Sequence, residues 1–158
     1  MNKTNAMRLL DQSGILYKAV EYIYDEKDLG GGHVAQIIGM NEDQVFKTLI
    51  TRGDKTNINV FCIPVNTELD LKKAAIVSCN KKIEMLHMNE LLPTTGYIRG
   101  GCSPVGMKKN FPTYIDETAL LFDEISISAG IRGCQMILNP DQLIAYLNAN
   151  VCDVTKYA

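Results

Sequence analysis

The chain has 158 residues, a formal net charge of −2 and a pI near 5.7, with 46% hydrophobic and 22% charged residues. These values are ordinary for one globular domain over residues 1–158, long enough to bury a core without disulfides or metals. They argue against a membrane-spanning chain, because no apolar run is long enough, and against a protein that coats nucleic acid through excess positive charge. The first residues have no signal-peptide apolar core, so we expect a cytoplasmic protein.

Helical periodicity and capping residues predict four or five short helices. The helix after Asn139 has the clearest start, because asparagine is a good N-cap and Pro140 suits the first helical position. We expect Leu143, Ile144 and Leu147 to supply its buried face. The predicted helical segments are 4–14, 33–39, 70–79, a turn capped by Asn89 and stopped by Pro93, and the segment that begins after Asn139.

Alternating apolar residues predict six or seven short strands. The segments are 18–24, 45–52, 58–65, 81–85, 113–115, 124–128 and 134–138, and the turn at 53–56 joins the second and third into a hairpin. Strands and helices do not alternate regularly, so a doubly wound parallel sheet is not expected. We predict a compact α+β domain around a mixed, curved sheet.

Cysteine and histidine give little support for a metal centre or for nucleophilic catalysis. The five cysteines form no C-x-x-C pair, so neither a zinc site nor a disulfide framework is predicted, and no cofactor is expected. His33 and His87 have no acidic partner nearby in sequence, and His33 is more typical of a turn. Cys102 has no neighbouring histidine to activate its thiol.

The segment from Gly96 to Lys109 contains four glycines, a Ser-Pro pair and three cations. Gly100-Gly101 allows a ligand to approach the backbone closely, because no Cβ stands in the way. Turn N–H groups of this kind converge on anions or carbonyl oxygens. The residues alone leave two interpretations open, a ligand-binding loop and a loop that only closes a sheet.

Cations occur in two further patterns. Lys47 lies inside an apolar strand and shares a face with Val45 and Leu49, where a lysine is costly unless it reaches the rim or meets an anion. The other pattern could form a local phosphate-binding patch or be plain solvated surface. It consists of the pairs Lys72-Lys73, Lys81-Lys82 and Lys108-Lys109, with Arg52, Arg99 and Arg132.

Three blocks together resemble the YbaK/EbsC family of prolyl-tRNA editing-type aminoacyl-tRNA deacylases. They are Phe46-Lys47-Thr48-Leu49, Gly96-Tyr97-Ile98-Arg99-Gly100-Gly101-Cys102-Ser103-Pro104-Val105-Gly106 and Ser128-Ala129-Gly130-Ile131-Arg132-Gly133. They occur in the family's order and spacing, and the resemblance covers nearly the whole chain. It implies a barrel-like sheet of about six strands flanked by short helices.

The resemblance also implies functional roles. Lys47 would position the 3′ end of a mischarged tRNA, and Gly100 and Gly101 would donate backbone N–H groups to the ester carbonyl. Gln135 stands where some relatives carry an acidic residue. The positions that match the family's pocket are Tyr24, Thr48, Ser103, Pro104, Gly130 and Gly133.

The implied reaction is removal of cysteine from Cys-tRNA(Pro), in which the substrate's own thiol attacks the ester. The implied partner is prolyl-tRNA synthetase. Two alternatives remain. One is a deacylase for alanine or another small residue, which the absence of any histidine after His87 disfavours. The other is a nonenzymatic module that binds tRNA or nucleotide, which the presence of Lys47 together with Gly100-Gly101 disfavours.

Overall fold

A computed structural model describes residues 2–157, and the elements follow from local capping and alternation. In α1, the Thr4 Oγ1 accepts a hydrogen bond from the Met7 N–H at 3.2 Å, and in α5 the Asn139 Oδ1 accepts from the Gln142 N–H at 3.1 Å. The predicted start of α5 is confirmed. The α-helices are α1 Asn5–Gln12, α2 Gly31–Ile38, α3 Leu71–Val77, α4 Met88–Thr95 and α5 Pro140–Leu147, with 3-10 turns at Glu42–Gln44 and Glu117–Leu121.

Between residues 2 and 157 the chain forms ten strands, more than predicted. The three that were not predicted are each three residues long, too short for a period-2 pattern to show in sequence. The predicted hairpin is confirmed as β2 and β3. The strands are β1 Tyr17–Glu21, β2 Phe46–Gly53, β3 Asn57–Pro64, β4 Thr67–Leu69, β5 Ile83–Met85, β6 Thr113–Asp116, β7 Ile125–Ser128, β8 Cys134–Leu138, β9 Asn150–Cys152 and β10 Thr155–Tyr157.

The strands form three sheets with the orders β1-β8-β7, β10-β4 and β5-β2-β3-β6-β9. The five-stranded sheet is mixed, because β3 pairs antiparallel with β2 and parallel with β6. The expectation of a barrel-like sheet is wrong. Within the described residues, backbone pairing joins the three-stranded and five-stranded sheets only at a single bridge between Val45 and Ser126, so no continuous ladder closes them.

Two hydrophobic clusters lie on opposite faces of β3, which is buried on both sides. Val60 and Cys62 belong to the larger cluster, with Phe46 and Ile50 of β2 and the inner faces of β7 and β8. Phe61 and Ile63 belong to the smaller cluster under α3, where the rings of Phe61 and Tyr114 stack with centroids 5.0 Å apart. In α5 Leu143 is fully buried, and Ile144 and Leu147 are partly buried against the larger cluster, as predicted.

The fourth helix corrects a prediction. His87, not Asn89, occupies the N-cap position of α4, and Pro93 lies inside the helix. A proline there removes one hydrogen bond but does not stop the helix, since the Gly96 N–H still bonds to the Leu92 carbonyl at 2.8 Å. Gly96 then ends α4 in the left-handed conformation.

No described helix is long and apolar enough to cross a membrane.

Candidate active site

A gap beside β2 creates the candidate site. The strand β5 pairs with β2 only from Thr51 to Gly53, and the Leu86 N–H bonds to the Ile50 carbonyl at 3.0 Å. Among the described residues, therefore, no strand pairs with this edge of β2 between Lys47 and Leu49. A cavity of about 380 Å³ lies at the gap.

The cavity has a polar and an apolar part. Apolar side chains from β2, α2, β5, α4 and the segments next to them make up most of the wall: Leu29, Val34, Val45, Phe46, Leu49, Ile50, Val65, Met85, Leu86, Met88 and Leu91. The polar lining residues are Tyr22, Lys47, Thr48, Arg99, Gly100, Cys102, Ser128 and Gln135. Apolar walls with a few convergent polar groups are typical of a site that binds a small molecule or the end of a chain.

Lys47 is half-buried on β2, directly across from Ile63 of β3. Burial lowers the pKa of Lys47 because it withdraws the ammonium from water, and the charge of Glu68 partly opposes this. Among the described residues, no carboxylate lies within 4.0 Å of the ammonium. The position therefore leaves a desolvated cation available to an anionic group of a ligand.

The glycine loop brings backbone N–H groups to the cavity. Gly100 has φ +83° and occupies the third position of a turn that the hydrogen bond from the Gly101 N–H to the Ile98 carbonyl closes at 3.0 Å. The Gly101 N–H is therefore engaged. The N–H groups of Gly100 and Cys102 find no acceptor among the described residues, so they remain available at the cavity wall.

The predicted positions divide into two groups. Lys47, Thr48 and Gly100 line the cavity, whereas Tyr24, Gly101, Ser103, Pro104, Gly130 and Gly133 do not. Ser103 is fully buried and its Oγ accepts from the Val105 N–H at 3.2 Å, so it shapes the loop. The roles predicted for all of these residues stay predictions.

Gly130 and Gly133 have positive φ values and form the tight turn between β7 and β8. A Cβ on Gly133 would lie 2.9 Å from the carbonyl oxygen of Tyr22 and 2.9 Å from the ring of Tyr24. Gly133 therefore allows the segment just after β1 to lie close to the turn, and in this segment Tyr22, not Tyr24, lines the cavity.

Several lining residues were not predicted as site residues. Ser128 belongs to the third sequence block, and its Oγ accepts from the Gly130 N–H at 3.1 Å. Gln135 lies beside it on β8, and its Oε1 accepts from the Ser126 Oγ at 2.9 Å. The Gln135 Nε2 has no partner among the described residues, so it can donate to a ligand. The sequence signals were the place of Ser128 in the third block and the match of Gln135 to a position where some relatives carry an acidic residue.

Cys102 lines the cavity as a neutral thiol. Burial raises its pKa to about 12 because the thiolate would lose its hydration, so almost no thiolate is present near neutral pH. His33 and His87 do not line the cavity, and the described lining includes no carboxylate side chain. The described residues also place no group of three or more His, Cys, Asp or Glu side chains where they could hold a metal ion.

The geometry therefore offers two cations, free N–H donors and hydroxyls, without a nucleophile that is paired with a base. Such a set can orient an ester and stabilise the negative charge that develops on its carbonyl oxygen. It does not provide the proton transfer on which a Ser-His-Asp mechanism depends.

Comparisons with known proteins identify the family of the chain. A family model described as the aminoacyl-tRNA editing domain matches residues 32–146. A relative from Enterococcus faecalis, named "Putative Cys-tRNA(Pro)/Cys-tRNA(Cys) deacylase EbsC", is 49% identical over 153 residues, which cover 97% of this chain and 93% of the relative. The uncharacterised protein YwhH of Bacillus subtilis is 28% identical over 77% of this chain and 78% of its own.

Solved structures show the same fold. A crystal structure described as that of "a putative trans-editing enzyme for prolyl tRNA synthetase" is 26% identical and superimposes with a TM-score of 0.85 over 99% of both chains. The hypothetical protein APE2540 is 20% identical, with a TM-score of 0.86 over 94% of this chain and 97% of its own, and shows the fold alone. With the match over residues 32–146, these likenesses establish that the chain belongs to the aminoacyl-tRNA editing domain family, the family of the YbaK/EbsC deacylases.

Proposed function

We propose that this editing-domain protein removes cysteine from Cys-tRNA(Pro), and that the domain spans residues 1–158. The observation that carries the proposal is a cavity with a desolvated lysine and free backbone donors but no nucleophile–base pair in its described lining. A deacylase with this equipment needs a substrate that brings its own nucleophile. Cysteine does so, because its side chain ends in a thiol.

In the proposed reaction, the cysteinyl sulfur forms a bond to the carbonyl carbon of its own ester. The bond from that carbon to the ribose oxygen breaks, and the departing oxygen receives the proton that the thiol gives up. The products are tRNA with a free hydroxyl and a cysteine thiolactone, which water then opens. No redox change occurs.

Two groups of this chain would assist the reaction. The Gly100 N–H donates to the carbonyl oxygen as it becomes negative, because no other acceptor occupies that N–H. The Lys47 ammonium offsets the charge of the tRNA 3′ end. Thr48, which lines the cavity beside Lys47, would contact the aminoacyl ribose.

The test is deacylation of a matched panel of substrates: Cys-tRNA(Pro), Ser-tRNA(Pro), Ala-tRNA(Pro), Pro-tRNA(Pro) and Cys-tRNA(Cys). Serine differs from cysteine by one atom, oxygen in place of sulfur, and is the sharpest control for thiol attack. We expect rapid loss of cysteine, no loss of serine, alanine or proline, and recovery of the thiolactone or its hydrolysis product. Cys-tRNA(Cys) shows whether the tRNA body contributes to selection.

The alternatives give different results. Loss of alanine or serine at the rate of cysteine would overturn thiol attack and favour a deacylase for small residues. Binding without hydrolysis of any substrate would favour a nonenzymatic tRNA-binding module. We further propose that prolyl-tRNA synthetase delivers the substrate to this mildly acidic chain, so adding the synthetase should lower the KM for Cys-tRNA(Pro).

A further inference from the structure

Two arginines from distant parts of the chain meet beside the cavity, where the exposed Arg99 lies at its mouth. Arg99 belongs to the glycine loop and Arg132 to the turn between β7 and β8, and the Arg132 Nε donates to the Arg99 carbonyl at 2.8 Å. Gly101 permits this approach, since a Cβ there would lie 3.0 Å from the Arg132 backbone nitrogen. The close packing of the two loops therefore fixes both residues side by side.

Neither guanidinium has an ionic partner within the described part of the chain. Arg52 pairs with Glu90 at 3.0 Å and Lys73 with Asp153 at 3.0 Å, so those members of the basic pattern are engaged. The loop that supplies Leu29 beside Gly100 also carries Asp28, but Asp28 faces His33 at 3.5 Å. No carboxylate lies within 4.0 Å of Arg99 or Arg132.

The position of Arg99 allows its charge to act on a ligand in the cavity. Lys47 and Arg99 are the only charged side chains among the described lining residues, and both are cations. Arg99 directly precedes Gly100, which lines the same cavity and whose N–H has no acceptor among the described residues. If the Gly100 N–H binds the carbonyl of a ligand, an anionic group that is covalently attached near this carbonyl would therefore lie next to the Arg99 guanidinium.

We propose that Arg99 and Arg132 form the binding site for the phosphate that joins the last two nucleotides of the tRNA substrate. This inference rests on the proposed function. The same ribose carries the aminoacyl ester and this phosphate, so the phosphate enters with the ester and lies at the mouth when the ester lies inside. Guanidinium binds phosphate oxygens through paired N–H donors, which suits a fixed two-arginine arrangement.

Arg132 has a second role as a positioning residue. Its Nε holds the Arg99 carbonyl, which leaves the terminal nitrogens of Arg132 free to reach the same phosphate. The two guanidinium groups attract phosphate locally, whereas the net charge of the whole chain, −2, does not attract tRNA.

The test compares two substrates of which only the first carries this phosphate, namely Cys-tRNA(Pro) and cysteinyl-adenosine. The variants are Arg99→Gln, Arg99→Lys and Arg132→Gln. The matched control is Arg8→Gln, an exposed arginine on α1 outside the cavity lining. Because Arg99 is exposed and Arg132 only half-buried, thermal unfolding of the variants should match wild type.

We expect Arg99→Gln to reduce kcat/KM for Cys-tRNA(Pro) about tenfold more than for cysteinyl-adenosine, mainly through KM. The slope of log(kcat/KM) against log[salt] should become shallower by about 0.7, the value for one phosphate of a single strand. Arg99→Lys should recover part of the loss, and Arg8→Gln should leave both substrates unchanged. Equal losses on both substrates, or no loss on Cys-tRNA(Pro), would overturn the proposal.

A separate measurement distinguishes failure of this proposal from failure of the proposed function. If wild type hydrolyses neither substrate, the deacylase assignment fails, and the same variants are compared for binding of uncharged tRNA(Pro) at several salt concentrations. Weaker binding with a shallower slope in Arg99→Gln would still support the phosphate site. Identical binding in wild type and Arg99→Gln would overturn it.

Discussion

Lys47 illustrates, at the residue scale, a functional group that opposes stability. Its ammonium is half-buried without an ion pair among the described residues, and its pKa is lowered by the loss of hydration. Between the folded and the unfolded pKa values, the unfolded chain binds more protons than the folded one, so stability rises with pH in that interval. Below the folded pKa the full cost of the charge is present.

We therefore predict that Lys47→Met lowers deacylation at least about 100-fold and yet stabilises the protein by about 0.5–1 kcal/mol at pH 7. Methionine keeps the unbranched stem of the side chain as far as Cε and removes the desolvated charge. Steady-state deacylation measures the first effect. Urea unfolding at pH 7 and pH 10.5 measures the second, because the difference in stability from wild type should shrink as Lys47 loses its proton. The control is Lys55→Met, at an exposed turn lysine, which should give no gain. A destabilised Lys47→Met protein would contradict the physical account.

At the scale of elements, the site depends on contact between two glycine-bearing loops. Gly101 is buried, and a Cβ on it would lie 3.0 Å from the Ile131 carbonyl carbon and 3.0 Å from the Arg132 nitrogen. These are backbone atoms, which cannot rotate away as a side chain can. An added methyl group must therefore separate the 98–101 turn from the Gly130–Gly133 turn.

We expect Gly101→Ala to cost about 1–3 kcal/mol of stability and to raise the KM for Cys-tRNA(Pro). The reason is that Arg99 and the Gly100 N–H move with the displaced turn. Thermal unfolding and steady-state kinetics measure the two effects. Gly32→Ala on α2 is the matched control, because its nearest neighbour is the flexible Glu42 carboxylate at 3.1 Å. If Gly101→Ala behaved like this control, the two turns would not be in firm contact.

At the scale of the whole molecule, one buried carboxylate joins separate sheets. Asp116 ends β6 in the five-stranded sheet, and its Oδ1 accepts from the Val154 N–H at 3.2 Å, next to β10 of the two-stranded sheet. Its Oδ2 accepts from the Thr118 Oγ1 at 2.7 Å and the Thr118 N–H at 3.3 Å. The Val154 carbonyl in turn accepts from the Asp70 N–H, at the start of α3.

Replacing Asp116 with alanine should destabilise the chain by about 2–4 kcal/mol, because buried donors lose a charged acceptor. Asp116→Asn keeps an acceptor oxygen and should lose less. The exposed Asp123→Ala is the control, expected within about 0.5 kcal/mol of wild type. Urea unfolding measures all three, and equal stability of Asp116→Ala and Asp123→Ala would show that the sheets do not depend on this link.

Sequence alone determined the features whose causes are local. Asn139 and Pro140 fixed the start of α5 through capping, and alternation over eight residues fixed β2 with Lys47 on the same face as Leu49. The three blocks carried the family assignment, because residue type and spacing are properties of the chain itself. The predicted stop at Pro93 was wrong because a proline near a helix end removes one hydrogen bond without ending the helix.

Only the tertiary structure decided which groups meet. The N–H groups of Gly100 and Cys102 are free and that of Gly101 is not, because the Gly101 N–H forms the hydrogen bond that closes the turn. Gln135 and Ser128 reach the cavity because β7 and β8 pack beside the unpaired edge of β2. The strands β4 and β10 exist only as each other's partners. These features arise from contacts between residues far apart in the chain, and neither propensity nor periodicity encodes such contacts at any single position.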